Sequence, residues 1–267
     1  VYMGAPDAEP TCVLPPTPAK AFYEDKPTWA AILLPLPAAA IKKGSMMIEV
    51  RRDAGPDGVV NAFWILRKTD PESRKRVLIV TGDDYGGHRW RETAPELAAI
   101  LREDARFEVS ITESPAILGS PLLSHYDAAV IHFKNYAERL AFGPEVWNGL
   151  RSYVERGGGL IITHFGCGAF QEWDGFAGIA GRIWNPAMRP HDPHGSFEVR
   201  VVDTGHPITR GLANFTTPDE LYTCLDGQTL IHVLCEATSK VDQKPYAIGF
   251  TLEPGQGRVF HCTLGHD

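Results

Sequence analysis

The chain has 267 residues, with 26 Lys and Arg against 33 Asp and Glu and a formal charge of −7. That length allows one large domain or a core domain with an appendage, and 43% apolar with 22% charged residues excludes a disordered chain. The acidic balance argues against a sequence-independent nucleic-acid binder, and the longest apolar stretch, Trp29–Ile41, is too short for a membrane span and contains Pro35 and Pro37.

Residues 1–28 are rich in proline and polar groups, show no sustained period, and read as a surface wrap. Met46–Arg51 and Val59–Arg67 read as two strands of a hairpin turning at Asp53–Gly58. The charged run Asp70–Arg76 reads as a linker, which divides the chain into an extension over residues 1–70 and a main domain over 71–267. Val77–Val80 is a buried-strand run, and Trp90, Ala94, Leu97, Ala98 and Leu101 then recur at helical spacing. Phe107–Thr112 and Ala128–Phe133 are the next strands. Glu145–Glu155 is a helix ended by Gly157–Gly159, and Leu160–Thr163 is again a strand. Strands alternating with helices predict right-handed βαβ units and a mainly parallel sheet. Beyond Gly195 the runs Phe197–Asp203, Thr229–Cys235, Tyr246–Thr251 and Arg258–Thr263 are mostly strands.

Ligands of an open α/β sheet sit beyond the carboxyl ends of its strands. The segments there are Thr81–His88, Phe133–Tyr136, His164–Trp173 and Leu264–Asp267. Three of them carry a histidine (His88, His164, His266) and the other carries Asn135. Imidazoles gathered at one edge suit a metal ion or acid–base work near neutral pH. His191-Asp-Pro-His194 adds two imidazoles three residues apart, a weak signal unless His88, His164 or His266 faces it. Glu220 and Tyr222 either face the pocket or alternate along an exposed strand. His125, His206 and His232 read as structural. Five widely spaced cysteines without a C-x-x-C argue against a disulfide framework or a zinc finger. Gly82–Gly87 lacks the glycine spacing and the lysine of a phosphate loop, and its two acids would repel phosphate.

Asp83-Asp-Tyr-x-x-His88, His132–Tyr136, Gly157–Phe170, His206–Leu212, Asp219–Tyr222 and Gly257–His266, in this order, resemble the trehalose-utilisation ThuA-like family. That family is a branch of the class I glutamine amidotransferase-like superfamily. The resemblance covers roughly Val77 to Asp267. It implies a flavodoxin-like three-layer α/β domain with a mainly parallel sheet; residues 1–70 carry no such resemblance, and their strand signals predict a small N-terminal β appendage. It also implies a C-terminal helix past Asp267, so the chain reads as truncated or as an excerpt.

In the superfamily a nucleophilic cysteine sits on the strand-to-turn elbow. Here His164 stands at that position and Cys167 lies three residues on, which disfavours a cysteine-type glutaminase. The family's link to sugar catabolism implies a carbohydrate ligand, especially a 3-keto-sugar, processed by elimination, hydrolysis or isomerisation. On this reading the candidate catalytic residues are His164, His88, His266 and Glu172, with Glu172 either orienting a histidine or acting as a base. The candidate sugar contacts are Asn135, Gln171, Trp173 and Glu220. The candidate ligands of a divalent metal such as zinc are His164, His191, His194 and His266. Two alternatives stand beside it: a non-catalytic carbohydrate-binding or scaffold protein, and an amidohydrolase using Cys167. The expected partner is a small carbohydrate rather than nucleic acid or membrane, with a homo-oligomer allowed and a cytoplasmic setting slightly favoured.

Overall fold

The computed structural model describes residues 74–266 apart from Tyr85, and the backbone of three short strands nearer the N-terminus. The chain divides into two compact units, Val1–Ile65 and Leu66–Asp267. In the first unit β1 (Tyr2–Gly4) pairs antiparallel with both β2 (Cys12–Val13) and β3 (Met47–Glu49). The strand expected over Met46–Arg51 thus forms at Met47–Glu49. Trp29–Ile41 and the expected Asp53–Gly58 turn lie outside the described residues.

The second unit opens as the alternation predicts. The four apolar side chains Val77–Val80 make β4 (Lys75–Val80) a buried strand. Helix α1 (Trp90–Arg102) buries Trp90, Ala94 and Ala98, one helical stripe, against the sheet. β5 (Phe107–Thr112), β6 (Ala128–Ile131), α2 (Pro144–Glu155) and β7 (Gly159–Thr163) follow. Helix α2 starts with Pro144 in its first turn and buries Val146, Leu150 and Val154. Between β5 and β6 the crossover is two 3₁₀ turns, Pro115–Gly119 and Pro121–His125, each opened by a proline.

Past β7 the architecture departs from expectation. A five-residue helix, α3 (Phe176–Ala180), leads to β8 (Gly195–Val201), β9 (Phe215–Asp219), β10 (His232–Thr238), β11 (Pro245–Leu252) and β12 (Arg258–Cys262). The nine strands β4–β12 form one mixed sheet in the order β5-β4-β6-β7-β12-β11-β10-β8-β9. The strands from β5 to β12 in that order pair parallel, and those from β12 to β9 pair antiparallel. Among the described residues six strand pairings are antiparallel and four are parallel, with only three α-helices. The expected helix-rich, mainly parallel, three-layer flavodoxin-like arrangement is therefore incorrect. The reason lies in the connections. Residues 239–244 and 253–257 are too short for a helical crossover, so β10, β11 and β12 must reverse direction at each turn.

Buried histidines make this unit sensitive to acid. His261 is fully enclosed, its Nδ1–H donating to Ala180 O at 3.0 Å, and burial pulls its pKa down to about 4. Burial, with a smaller contribution from His88, does the same to His132, also to about 4. The unfolded chain takes up these protons from its ordinary histidine pKa near 6.5 downward, whereas the folded chain takes them up only near 4. Stability should thus be level above that window and fall as pH drops through it. The urea midpoint is expected to decline between pH 7 and 4.5, and less steeply in His132→Gln/His261→Asn. Equal slopes in the two proteins would contradict this account.

Candidate active site and metal centre

The strand ends converge on a cluster of His88, His164, Glu220 and His266, whose ligand atoms all lie within 4.8 Å of one another. Each member has its own support. His88 ends the loop after β4, and its Nδ1 lies 2.5 Å from Asp84 Oδ2, with both side chains almost wholly buried. A carboxylate on Nδ1 holds the ring and directs Nε2 outward as the ligating atom. Phe165 stacks on the His88 ring at 4.5 Å and 16°.

His164 stands at the turn after β7, where the chain enters a 3₁₀ segment, His164–Gly168. Its φ is +28°, an unfavourable value for a side chain bearing a Cβ, so the surrounding packing holds the elbow in place. Gly166 allows that packing, since a Cβ there would lie 2.5 Å from Ile131 O at the end of β6. The ring is 1% exposed, and its Nδ1 donates to Thr263 O at 2.6 Å. That bond leaves Nε2 as the lone-pair atom, buried without a hydrogen-bond partner among the described residues and 4.0 Å from Glu220 Oε2. Burial first, and then the neighbouring imidazoles of His88, His266 and His191, hold its pKa well below the ordinary histidine value. The ring is neutral at pH 7.

His266 follows β12, and its Nδ1 lies 3.4 Å from Glu220 Oε2. Glu220 follows β9, which three strands separate from β12 in the sheet order. The segment after β9 nevertheless returns to the centre. The Asp219 carboxylate accepts from Gly265 N at 2.8 Å and His266 N at 3.3 Å, while Asp192 N donates to Leu221 O and Thr223 N to Pro190 O. Asp219 and Asp84 are therefore positioning residues that the sequence reading did not single out. Both stand one or four residues from a cluster member inside motifs already noticed, which was the available signal.

The other expected site residues have different surroundings. His191 is at the rim, its Nδ1 donating to Asp192 O at 2.7 Å and standing 3.6 Å from Glu220 Oε1. The His194 ring lies 5.9 Å from that of His266. Neither belongs to the four-residue group, which contains His88 and Glu220 beside His164 and His266. Asn135 spends its amide on Leu140, donating to its carbonyl and accepting from its N–H. Trp173 is buried against Trp147, Phe170, Phe176 and Arg151. It packs the α2–α3 side of the molecule and is 7% exposed. Gln171 and Glu172 are half-buried, and Glu172 lies near Asn135 and Glu138, with burial raising its pKa. Cys167 is fully buried, and burial pushes its thiol up to about 12, the opposite of an activated nucleophile.

Three imidazoles and one carboxylate form a donor set suited to zinc or a similar divalent ion. The buried, unpaired His164 Nε2 is the kind of atom such an ion would satisfy. Among the described residues no helix is long and apolar enough to cross a membrane.

Comparison with known proteins agrees with the motif reading. The crystal structure of a ThuA-like protein from Parabacteroides merdae is similar at 25% identity and a TM-score of 0.60, covering 73% of this chain and 80% of that one. A ThuA-like protein from Bacteroides uniformis is similar in fold at 19% identity and a TM-score of 0.58, covering 74% and 85%. No curated protein matches the chain. The family model for ThuA, described as trehalose utilisation, matches residues 76–267, and the chain therefore belongs to the ThuA family.

Proposed function

We propose that the ThuA region is a metal-dependent enzyme acting on a ketone-bearing sugar, such as a 3-keto-glucoside, within sugar utilisation. The observation that carries this reading is the cluster of buried His88 and His164 with partly buried Glu220 and His266 at the carboxyl edge of the parallel strands. A divalent ion held there would act as a Lewis acid toward a carbonyl oxygen. The protein's own groups supply the rest. A ketone acidifies the adjacent C–H, so a nearby base can remove that proton, with the electron pair moving toward the carbonyl oxygen. His191 is suited to this step. Its Nδ1–H is committed to Asp192 O, leaving Nε2 as a proton acceptor on a side chain that is 30% exposed. His164 cannot rotate away, because Thr263 O fixes its tautomer. Phe165 and Tyr222, packed on the cluster rings, limit access of water. The buried thiol of Cys167 counts against amidohydrolase chemistry.

The test is metal analysis of protein purified without a histidine tag, together with turnover of a 3-keto-glucoside. One divalent ion per chain is expected, with turnover lost on chelation and restored by zinc or manganese. Full turnover by metal-free protein would remove the metal from the reading. Sugar binding without turnover by the metal-loaded protein would favour a non-catalytic carbohydrate-binding role.

A further inference from the structure

Beside the histidine cluster lies a buried cation that the metal reading does not use. Lys134 follows β6 and is 8% exposed. Its ammonium lies 4.0 Å from the centre of the Trp184 ring and forms neither a hydrogen bond nor an ion pair with any described residue. Its stem is fixed in place, because the carbons of Lys134 fill the space over Gly168, where a Cβ would approach them to 3.1–3.2 Å. Trp184 in turn packs against the rings of Tyr222 at 5.5 Å and His191 at 6.4 Å, and Tyr222 lies 4.3 Å from His164. The charges that act on Lys134 are those of Asp84, which orients His88, and Glu220, with Cys167 as a further titratable neighbour. These contacts put the ammonium on the flank of the cluster, over Trp184 and within electrostatic reach of Asp84 and Glu220.

An ammonium on a largely buried side chain, packed on an indole face and hydrogen-bonded to no described residue, has its lost hydration poorly replaced. A ligand oxygen carrying negative charge would replace it. We propose that Lys134 is a further catalytic residue: its ammonium binds the carbonyl oxygen of the substrate and stabilises that oxygen as it becomes an enolate. The proposal rests on the ketone-sugar reading above and adds a second, protein-borne cation to it. The electron pair released by loss of the α-proton moves through the new C=C bond onto the carbonyl oxygen, where the Lys134 N–H groups donate hydrogen bonds. No bond to Lys134 forms or breaks.

Three variants separate the outcomes: Lys134→Met, Lys134→Arg and Gly168→Ala, the last keeping the lysine while crowding its stem. The readouts are kcat and KM on a 3-keto-glucoside, metal content, and calorimetric affinity for gluconate, an open-chain sugar acid that carries a full negative charge on oxygen. Lys134→Met should lower kcat about 10²–10³-fold, as loss of one oxyanion donor does, with metal content unchanged. Its gluconate affinity should weaken roughly tenfold, the size of one charge-assisted hydrogen bond. Lys134→Arg should recover part of both, and Gly168→Ala should fall between Lys134→Met and the parent. Values for Lys134→Met within threefold of the parent in both readouts would overturn the proposal, as would loss of bound metal in that variant. If the parent does not turn over the keto-sugar, the ketone reading fails and gluconate decides alone. Binding that depends on Lys134 then supports an anion-binding lysine; binding that does not, or no binding, overturns it.

Discussion

Replacing His164 by Ala is expected to lower turnover of a 3-keto-glucoside by about 10²–10⁴-fold and to remove bound metal, while leaving the protein folded. The imidazole follows β7 and reaches both Thr263, past the end of β12, and the returning Glu220 segment. Its Nδ1 is used to hold Thr263 O, and its Nε2 is buried with no hydrogen-bond partner among the described residues. Truncation thus removes the ligand and the brace together. Ala at φ +28° keeps the backbone strain already present, so a parallel His164→Asn variant serves as control, because asparagine tolerates positive φ more readily. Cys167→Ala should keep most of the activity, since that thiol is enclosed and uncharged at neutral pH. Activity retained in His164→Ala but absent in Cys167→Ala would assign the chemistry to the thiol.

Glu220→Gln should be nearly as severe. The carboxylate is the only anionic member of the four-residue group, and its Oε2 lies 3.4 Å from His266 Nδ1 and 4.0 Å from His164 Nε2. An amide of the same shape keeps the packing but removes the charge that balances a divalent ion. Metal affinity should fall further than the roughly 10–100-fold seen when a group one layer outside the ligands is lost. Asp84→Asn is that outer-layer case and provides the scale, because the Asp84 carboxylate meets His88 at Nδ1, away from the Nε2 that faces the cluster. A competitive chelator titration on the three proteins should rank them parent, Asp84→Asn, Glu220→Gln. Parent-like affinity in Glu220→Gln would show that the histidines alone bind the ion.

Much of the strand pattern was legible in the sequence. β4, β5, β7, α1 and α2 appear within a residue or two of where hydrophobic period and punctuation place them. These elements are defined by local spacing: a continuous apolar run in a buried strand, a 3.6-residue stripe on a helix, and glycines that end it. Four of the five C-terminal strands were also legible as strands, with β8 and β10 displaced by two or three residues and β9 not among those read. Their direction was not. A strand reads the same in a parallel or an antiparallel sheet, and short connections after β10 and β11 forced the reversals that make the sheet mixed.

The same division runs through the site. His88, His164 and His266 each follow a strand that enters the parallel part of the sheet, so their common edge follows from chain direction alone. Local sequence also suggested the elbow at His164, because a glycine-flanked turn after a buried strand is a short-range feature. Residue type alone does not show what a side chain already touches. Asn135 and Trp173 have the chemistry of sugar contacts, and in the structure Asn135 exchanges hydrogen bonds with Leu140 while Trp173 stacks on Trp147 and Phe176. Glu220 is the reverse case. Its strand pairs at the far end of the sheet, and long-range hydrogen bonds, among them the Asp219 carboxylate reaching Gly265 across 46 residues, bring it to the histidines. Periodicity along the chain determined the elements and the edge that carries the imidazoles. Which carboxylate joins them, and which polar side chains are already spent, depends on hydrogen bonds between residues far apart in sequence, and so only the tertiary structure could decide it.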